Sequence, residues 1–254
     1  YEVLLVINEQ AFQTLPIAML PNERLLWQPH GFSYSARNLG LTQARGDVVA
    51  FTDSDATPDK TWLSEGVTAI REGFDMAAGH VELSFSSTKM SPSACYERYF
   101  SFDQERNSRH GVSATVNLFC RKSVFEAQGQ FRRQAITGED FLWTRRASAS
   151  GFKLAYTPDA VVFHPARETW SELRAKVARK SMIFGERFVL RQNFATAMTF
   201  FVRRYFRLPR KDRWKKISIR EAFLAYSTNL ALALMAIYAL APRRLQDTDI
   251  QVRH

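Results

Sequence analysis

Cysteine is nearly missing from this 254-residue sequence: Cys95 and Cys120 are its two. That is too few for a disulfide framework or a cysteine-built metal cluster. No secretory signal is visible either, so a reducing, cytoplasmic setting is expected. Internal repeats and low-complexity stretches do not occur, which excludes a repeat architecture. No recognised nucleic-acid motif accompanies the positive charge, and nucleic acid is not expected as a partner. Nor does a starting Met occur; the chain opens at Tyr1 and enters the apolar run Val3-Leu4-Leu5-Val6-Ile7 at once. The expectation is a fragment whose preceding part is missing.

What is present is an ordinary globular composition, 46% hydrophobic and 24% charged, with a net charge of +10. The charge is concentrated. Between Arg167 and Arg220 stand 16 Lys/Arg against 4 Asp/Glu, leaving the rest of the chain close to neutral. A near-neutral body with a basic segment near its C-terminus points to an anionic surface as partner.

In chain order, the aliphatic run at Val3 predicts a buried strand, residues 9 to 22 a loop with a weak helix, and Arg24 to Trp27 a short strand. Ser33 or Ser35 opens a helix that Gly46 ends. Val48 to Phe51 predicts another buried strand. Thr57 then suits a helix cap and Pro58 its first turn, with Trp62, Leu63, Val67 and Ile70 on one face. Further on, the pattern predicts strands over 74–85 and 112–121 and an aromatic-rich helix over 94–106. Short helices follow at 123–127 and from Glu139 to Gly151, then two short strands over 153–156 and 160–163. This alternation implies a mixed sheet with helices on its faces.

From Thr169 onward the chain reads as helical, basic and aromatic, which divides it into a domain over 1–168 and an extension over 169–254. Met182, Phe184, Phe188, Phe200 and Phe201 are candidate apolar anchors to a membrane face. Ala222 to Ala241 is 20 residues without a charge, long enough for a possible transmembrane helix, although Ser227, Thr228, Asn229 and many alanines weaken it.

Chemistry concentrates where these elements end. Asp53-Ser54-Asp55 follows directly on the Val48 strand, and open α/β sheets bind ligands at the carboxyl ends of their strands. Two carboxylates one residue apart also suit a hard cation such as Mg²⁺ or Mn²⁺. Glu139-Asp140 stands at a helix start, where the helix dipole alone would account for acidic residues. His164-Pro165 ends the last strand. Trp143, just after the acidic pair, suits either the core or stacking on a sugar.

The ordered set Ser35-Ala36-Arg37-Asn38-Leu39-Gly40, Ala44-Arg45-Gly46-Asp47-Val48-Val49-Ala50-Phe51-Thr52-Asp53-Ser54-Asp55, Pro58 and Trp62-Leu63 resembles the donor-binding core of family 2 glycosyltransferases. Phe119-Cys120-Arg121-Lys122-Ser123-Val124-Phe125, Gly138-Glu139-Asp140, and Gly151-Phe152-Lys153 through His164-Pro165 resemble its second half. The resemblance covers roughly residues 1 to 190. It implies an α/β fold of GT-A type: a Rossmann-like, mixed and mostly parallel sheet flanked by helices, here with a helical basic C-terminal extension. It also implies metal-dependent transfer of a sugar, with inversion, from a nucleotide-diphosphate sugar to a hydroxyl of a glycan or lipid-linked acceptor.

Carried over by position, Asp53 and Asp55 would bind the nucleotide sugar and, with His164, the Mg²⁺ or Mn²⁺ ion. Arg37 would lie at the nucleotide, Asp140 would be the general base, and Glu139 would position the acceptor or the neighbouring loop. The implied setting is the cytoplasmic face of an anionic membrane, held peripherally or by one C-terminal span. Two departures stand out. The family's first strand and helix are missing, and Ile7, followed by Asn8, replaces the aspartate expected to read the nucleotide base. These departures favour one rival reading, a catalytically inactive membrane-binding scaffold of the same fold. The other rival, a nucleotidyltransferase, would need a Gly-rich, basic N-terminal loop that the sequence lacks.

Overall fold

The computed structural model describes residues 1–8, 19–29, 31–184 and 217–240. They form two compact units, one of residues 1–84 and 102–165, the other of 85–101 with the chain from 166 onward. A linear division at residue 168 does not express this, because the segment 85–101 groups with the C-terminal helices.

In the first unit, β1 (Val3–Ile7) pairs in parallel with β2 (Glu23–Trp27), and α1 (Ser33–Gln43) follows. The main sheet contains β3 (Val48–Thr52), β4 (Thr57–Pro58), β5 (Met76–Ser84), β6 (Asn117–Arg121) and β7 (Leu154–Pro165), in the order β3-β6-β5-β7-β4. The sheet is mixed, as expected, but not mostly parallel. Only β5 and β7 run parallel within it; β6 lies antiparallel between β3 and β5, and β4 is antiparallel to β7. The helices of this unit are α1, α2 (Trp62–Arg71), α4 (Gln104–Arg109), α5 (Lys122–Gln128) and α6 (Glu139–Ala149); α3 (Pro92–Phe100) belongs to the other unit.

Several local expectations shift. Thr57-Pro58 does not open a helix. It is a short edge strand, where proline's missing N–H costs nothing, and the helix begins at Trp62 after Thr61. The buried face of α2 is Trp62, Gly66, Ala69 and Ile70; Val67 is only partly covered. The expected helix over 94–106 breaks into α3 and α4 at Phe102, which has a φ of +42°. The two short strands after Gly151 are one long strand whose register against β5 jumps from Gly79–Thr157 to His80–Val161. Buried Asn117 closes that irregularity. Its Nδ2 donates to the carbonyls of His80 (2.7 Å) and Ala160 (2.8 Å), and its Oδ1 accepts from Trp62 Nε1 at 2.9 Å.

Two apolar clusters hold the sheet. One gathers Tyr34, Phe51, Leu118, Phe125, Phe131 and Trp143; there Trp143 is fully buried and stacked on Phe125 at 4.0 Å, so it is a core residue. The other packs α2 on the opposite cluster members Phe119, Ala77 and Val162. Gly66 is the tight point, because a Cβ there would run into the Phe119 ring. Gly66→Ala is therefore predicted to destabilise the protein by about 1–3 kcal/mol through overpacking, read as a lowered melting temperature. An unchanged melting temperature would refute this packing.

The second unit is built on α3, α7 (Trp170–Phe184) and α8 (Ile219–Leu240), around Cys95, Tyr99, Phe100, Leu173 and Leu232. Inside it, fully buried Glu97 accepts from Lys176 Nζ at 2.6 Å, Ser101 Oγ at 2.6 Å and Arg167 Nη1 at 3.2 Å. Burial pushes the Glu97 carboxyl up, but Lys176, Ser101 and Arg167 outweigh it and hold it below the usual range. Its stabilisation is thus present above the unfolded carboxyl value of about 4.3 and is lost as pH falls toward the folded value. Lys176→Met leaves a buried charge undercompensated and is predicted to cost about 3 kcal/mol in denaturant unfolding. Neutral behaviour of this variant would show that the pair contributes little.

Both cysteines are buried and free. Among the described residues no helix is long and apolar enough to cross a membrane; the stretch 222–241 falls largely on α8. Residues 9–18 of the expected loop over 9–22, and anchors Phe188, Phe200 and Phe201, lie outside the described residues, as do the side chains of Met182 and Phe184.

Candidate active site

The site is assembled by the pairing of β4 with β7. Thr57 opposite Phe163 draws the link after β3 alongside the end of β7. Asp53 and Asp55 consequently meet His164, and their ligand atoms all lie within 4.8 Å of one another. His164 Nε2 is 3.5 Å from Asp55 Oδ1 and 3.9 Å from Asp53 Oδ2. The imidazole is held from behind. Its Nδ1 lies 2.7 Å from the Pro165 carbonyl, which can only accept, so Nδ1 carries a proton and Nε2 is the nitrogen turned toward the carboxylates. The Phe102 ring packs on it at 5.0 Å. That the one non-glycine residue with positive φ among those described lies here fits the tendency of strained backbone to collect at functional sites.

Two carboxylates and one imidazole, two of the three open to solvent, are a donor set that suits Mg²⁺ or Mn²⁺. The fixed Nδ1–H···O=C bond is the usual second support of a ligating histidine. The residues fit the ion that the resemblance implies.

Arg37 reaches the same cluster from α1, its Nη2 donating to Asp53 Oδ1 at 2.7 Å. One turn earlier on the helix, Tyr34 lies under that guanidinium, 5.3 Å from ring centroid to Cζ. Its hydroxyl donates to Asp140 Oδ1 at 2.9 Å. Asp140 also accepts from the backbone N–H of Phe141 on Oδ1 (3.0 Å) and of Thr115 on Oδ2 (3.1 Å). Burial raises the Asp140 carboxyl above its ordinary range, against the opposing effect of Thr115, Tyr34 and Arg37. A carboxylate with a raised pKa is suited to taking a proton.

Glu139 faces away from this exchange. Fully buried, it pairs with Arg146 at 3.0 Å on its own helix and accepts from the Arg132 N–H at 3.4 Å, so it holds the loop that leads into α6. Gly138 makes that entry possible with a φ of +75°.

The structure thus brings Arg37, Asp53, Asp55 and His164 together, and joins Asp140 to them through Tyr34. Sequence reading missed Tyr34, Phe102 and Thr115. The signal for Tyr34 was its spacing of three from Arg37 on one helix, which puts both on one face.

Residues 1–182 match the model of the family described as glycosyltransferase like family 2. The chain belongs to this family. It is 36% identical over 214 residues to glycosyltransferase AglE of Haloferax volcanii, covering 78% of this chain and 69% of AglE. It is 31% identical over 170 residues to the pre-mycofactocin glycosyltransferase of Mycobacterium tuberculosis, covering 63% of this chain but only 35% of that protein. Among solved structures it is similar to the Pyrobaculum calidifontis mannosyltransferase PcManGT in complex with GDP-Man and Mn²⁺. There the identity is 20% and the TM-score 0.46, over 86% of this chain and 57% of that one.

Proposed function

We propose that this glycosyltransferase moves a sugar, with inversion, from a nucleotide-diphosphate sugar to a hydroxyl of a glycan or lipid-linked acceptor, with a divalent metal required. The observation that carries the reading is the separation of two carboxylate sites. Asp53 and Asp55 converge with His164 in a group able to hold an ion, while Asp140 stands apart, buried and raised above its ordinary range. Inverting transfer needs both, one at the leaving group and one across the sugar from it.

In this reading Asp53, Asp55 and His164 would hold Mg²⁺ or Mn²⁺, whose charge would offset that of the diphosphate leaving group. Arg37 adds a second positive charge on that side and fixes the orientation of Asp53. Asp140 accepts the proton of the attacking hydroxyl. Glu139 keeps the loop before α6 in place, so that Asp140 does not move with it. The whole would sit peripherally on the cytoplasmic face of an anionic membrane, drawn by the basic segment between Arg167 and Arg220, each cation near the surface contributing on the order of 1 kcal/mol.

The test is calorimetric titration of UDP and of GDP into the protein with and without Mn²⁺. Metal-dependent binding of one of them is expected, and it names the nucleotide that Ile7 and Asn8 leave open. Absence of binding to either would favour the rival reading, an inactive scaffold of the same fold.

A further inference from the structure

We propose that Tyr34 is a positioning residue, holding the Asp140 carboxylate and tying it to the Arg37–Asp53 pair on the donor side. The inference rests on Asp140 being the base and adds a residue that acts through it. Tyr34 is almost fully buried, 4% exposed, yet its hydroxyl is not spent on the backbone; it donates to Asp140 at 2.9 Å. Burial and the Asp140 charge raise its phenol, so the hydroxyl stays protonated and acts only as a donor toward Asp140. A second contact sets where that donor points. The ring lies beneath the Arg37 guanidinium, which is itself anchored by Asp53 at 2.7 Å. A cation over a phenol ring draws electron density from it and makes the O–H a stronger donor. One face of α1 therefore carries a continuous path, Asp53 to Arg37 to Tyr34 to Asp140, with every step at contact distance.

The groups facing Asp140 are few: Tyr34 and Arg37 from α1, the Thr115 N–H from the loop before β6, and the Phe141 N–H of α6. Of these, Tyr34 is the hydrogen-bonding side chain. Tyr34→Phe removes the hydroxyl while keeping the ring beneath Arg37. The carboxylate then loses a donor, its charged form is disfavoured, and its titration moves upward.

The experiment is a pH titration, followed by NMR, of protein carrying [4-¹³C]aspartate, with the Asp140 signal assigned by its loss in Asp140→Asn. In Tyr34→Phe the midpoint is expected to rise by on the order of one pH unit. In Arg37→Gln, which leaves the hydroxyl but removes the cation above it, the rise is expected to be smaller. Tyr34→Met, filling the space without a ring or hydroxyl, supplies the same reading if the phenylalanine variant does not fold. An unchanged midpoint in the folded Tyr34 variant would overturn the proposal, and an unchanged midpoint in Arg37→Gln would remove the link to Asp53. Sugar transfer surviving in Asp140→Asn would instead sink the base assignment and leave the titration result standing, so the two failures are distinguishable.

Discussion

Asp55→Ala is expected to weaken metal-dependent binding of the nucleoside diphosphate by on the order of a hundredfold or more, with the melting temperature unchanged. Removing a group that only hydrogen-bonds a metal ligand typically costs ten- to a hundredfold at such sites, and Asp55 would be a direct ligand. Its side chain is 62% exposed, lies 3.5 Å from the edge of His164 and belongs to neither apolar cluster of the sheet, so its removal leaves the core packing in place. His164→Ala should have a smaller effect on binding, near tenfold, because it removes a neutral ligand and leaves both carboxylates. It should also lower stability somewhat, since the imidazole is 3% exposed and packed beneath Phe102. The ordering is the discriminating result. If Asp55→Ala still binds the nucleoside diphosphate in the presence of Mn²⁺ as tightly as the unaltered protein does, the cluster of Asp53, Asp55 and His164 is not the metal's site.

The elements legible in the sequence were those whose signal is local. Four apolar residues ahead of Thr52-Asp53 read as a strand and form one, although of them Phe51 alone is buried, and Gly138 before two acids reads correctly as a helix entry. The rest depended on partners distant in the chain. Nothing at Thr57-Pro58 distinguishes a helix start from an edge strand; Phe163 and Val162 decide it. The stretch from Val112 to Val116 is apolar enough to look like strand, yet it is a buried loop. It survives burial because side chains from elsewhere take its amides: Thr144 for Ser113, Gln104 for Ala114 and Asp140 for Thr115. Strand direction is likewise not written locally, which is why β6 turned out antiparallel to both neighbours. Tyr34 carries no signal in the sequence beyond its spacing from Arg37, and only the fold shows Asp140 opposite its hydroxyl.

Asp140→Asn is expected to abolish transfer, by on the order of 10²- to 10⁴-fold, while leaving donor and metal binding intact. The amide occupies the same volume but cannot accept a proton, and Asp140 touches none of the three metal-site residues. Transfer would be followed as release of nucleoside diphosphate from whichever donor the titration identifies. The unaltered enzyme provides a second reading through pH. Because burial raises the Asp140 carboxyl, the ionised form is lost at a higher pH than for an ordinary aspartate, and the acid-side fall in activity should be displaced upward accordingly. The linkage to stability has the opposite sign from Glu97. A carboxyl whose folded value is raised stabilises the fold below its unfolded value and loses that contribution as pH rises through the folded value. Above the ordinary aspartate range Asp140 is therefore a cost to the fold, offset in part by Thr115, Tyr34 and Arg37. Asp140→Asn should then melt no lower than the unaltered protein at pH 7, although one amide hydrogen must face a backbone donor. Loss of transfer together with a collapse in melting temperature would mean that Asp140 holds the fold rather than takes the proton.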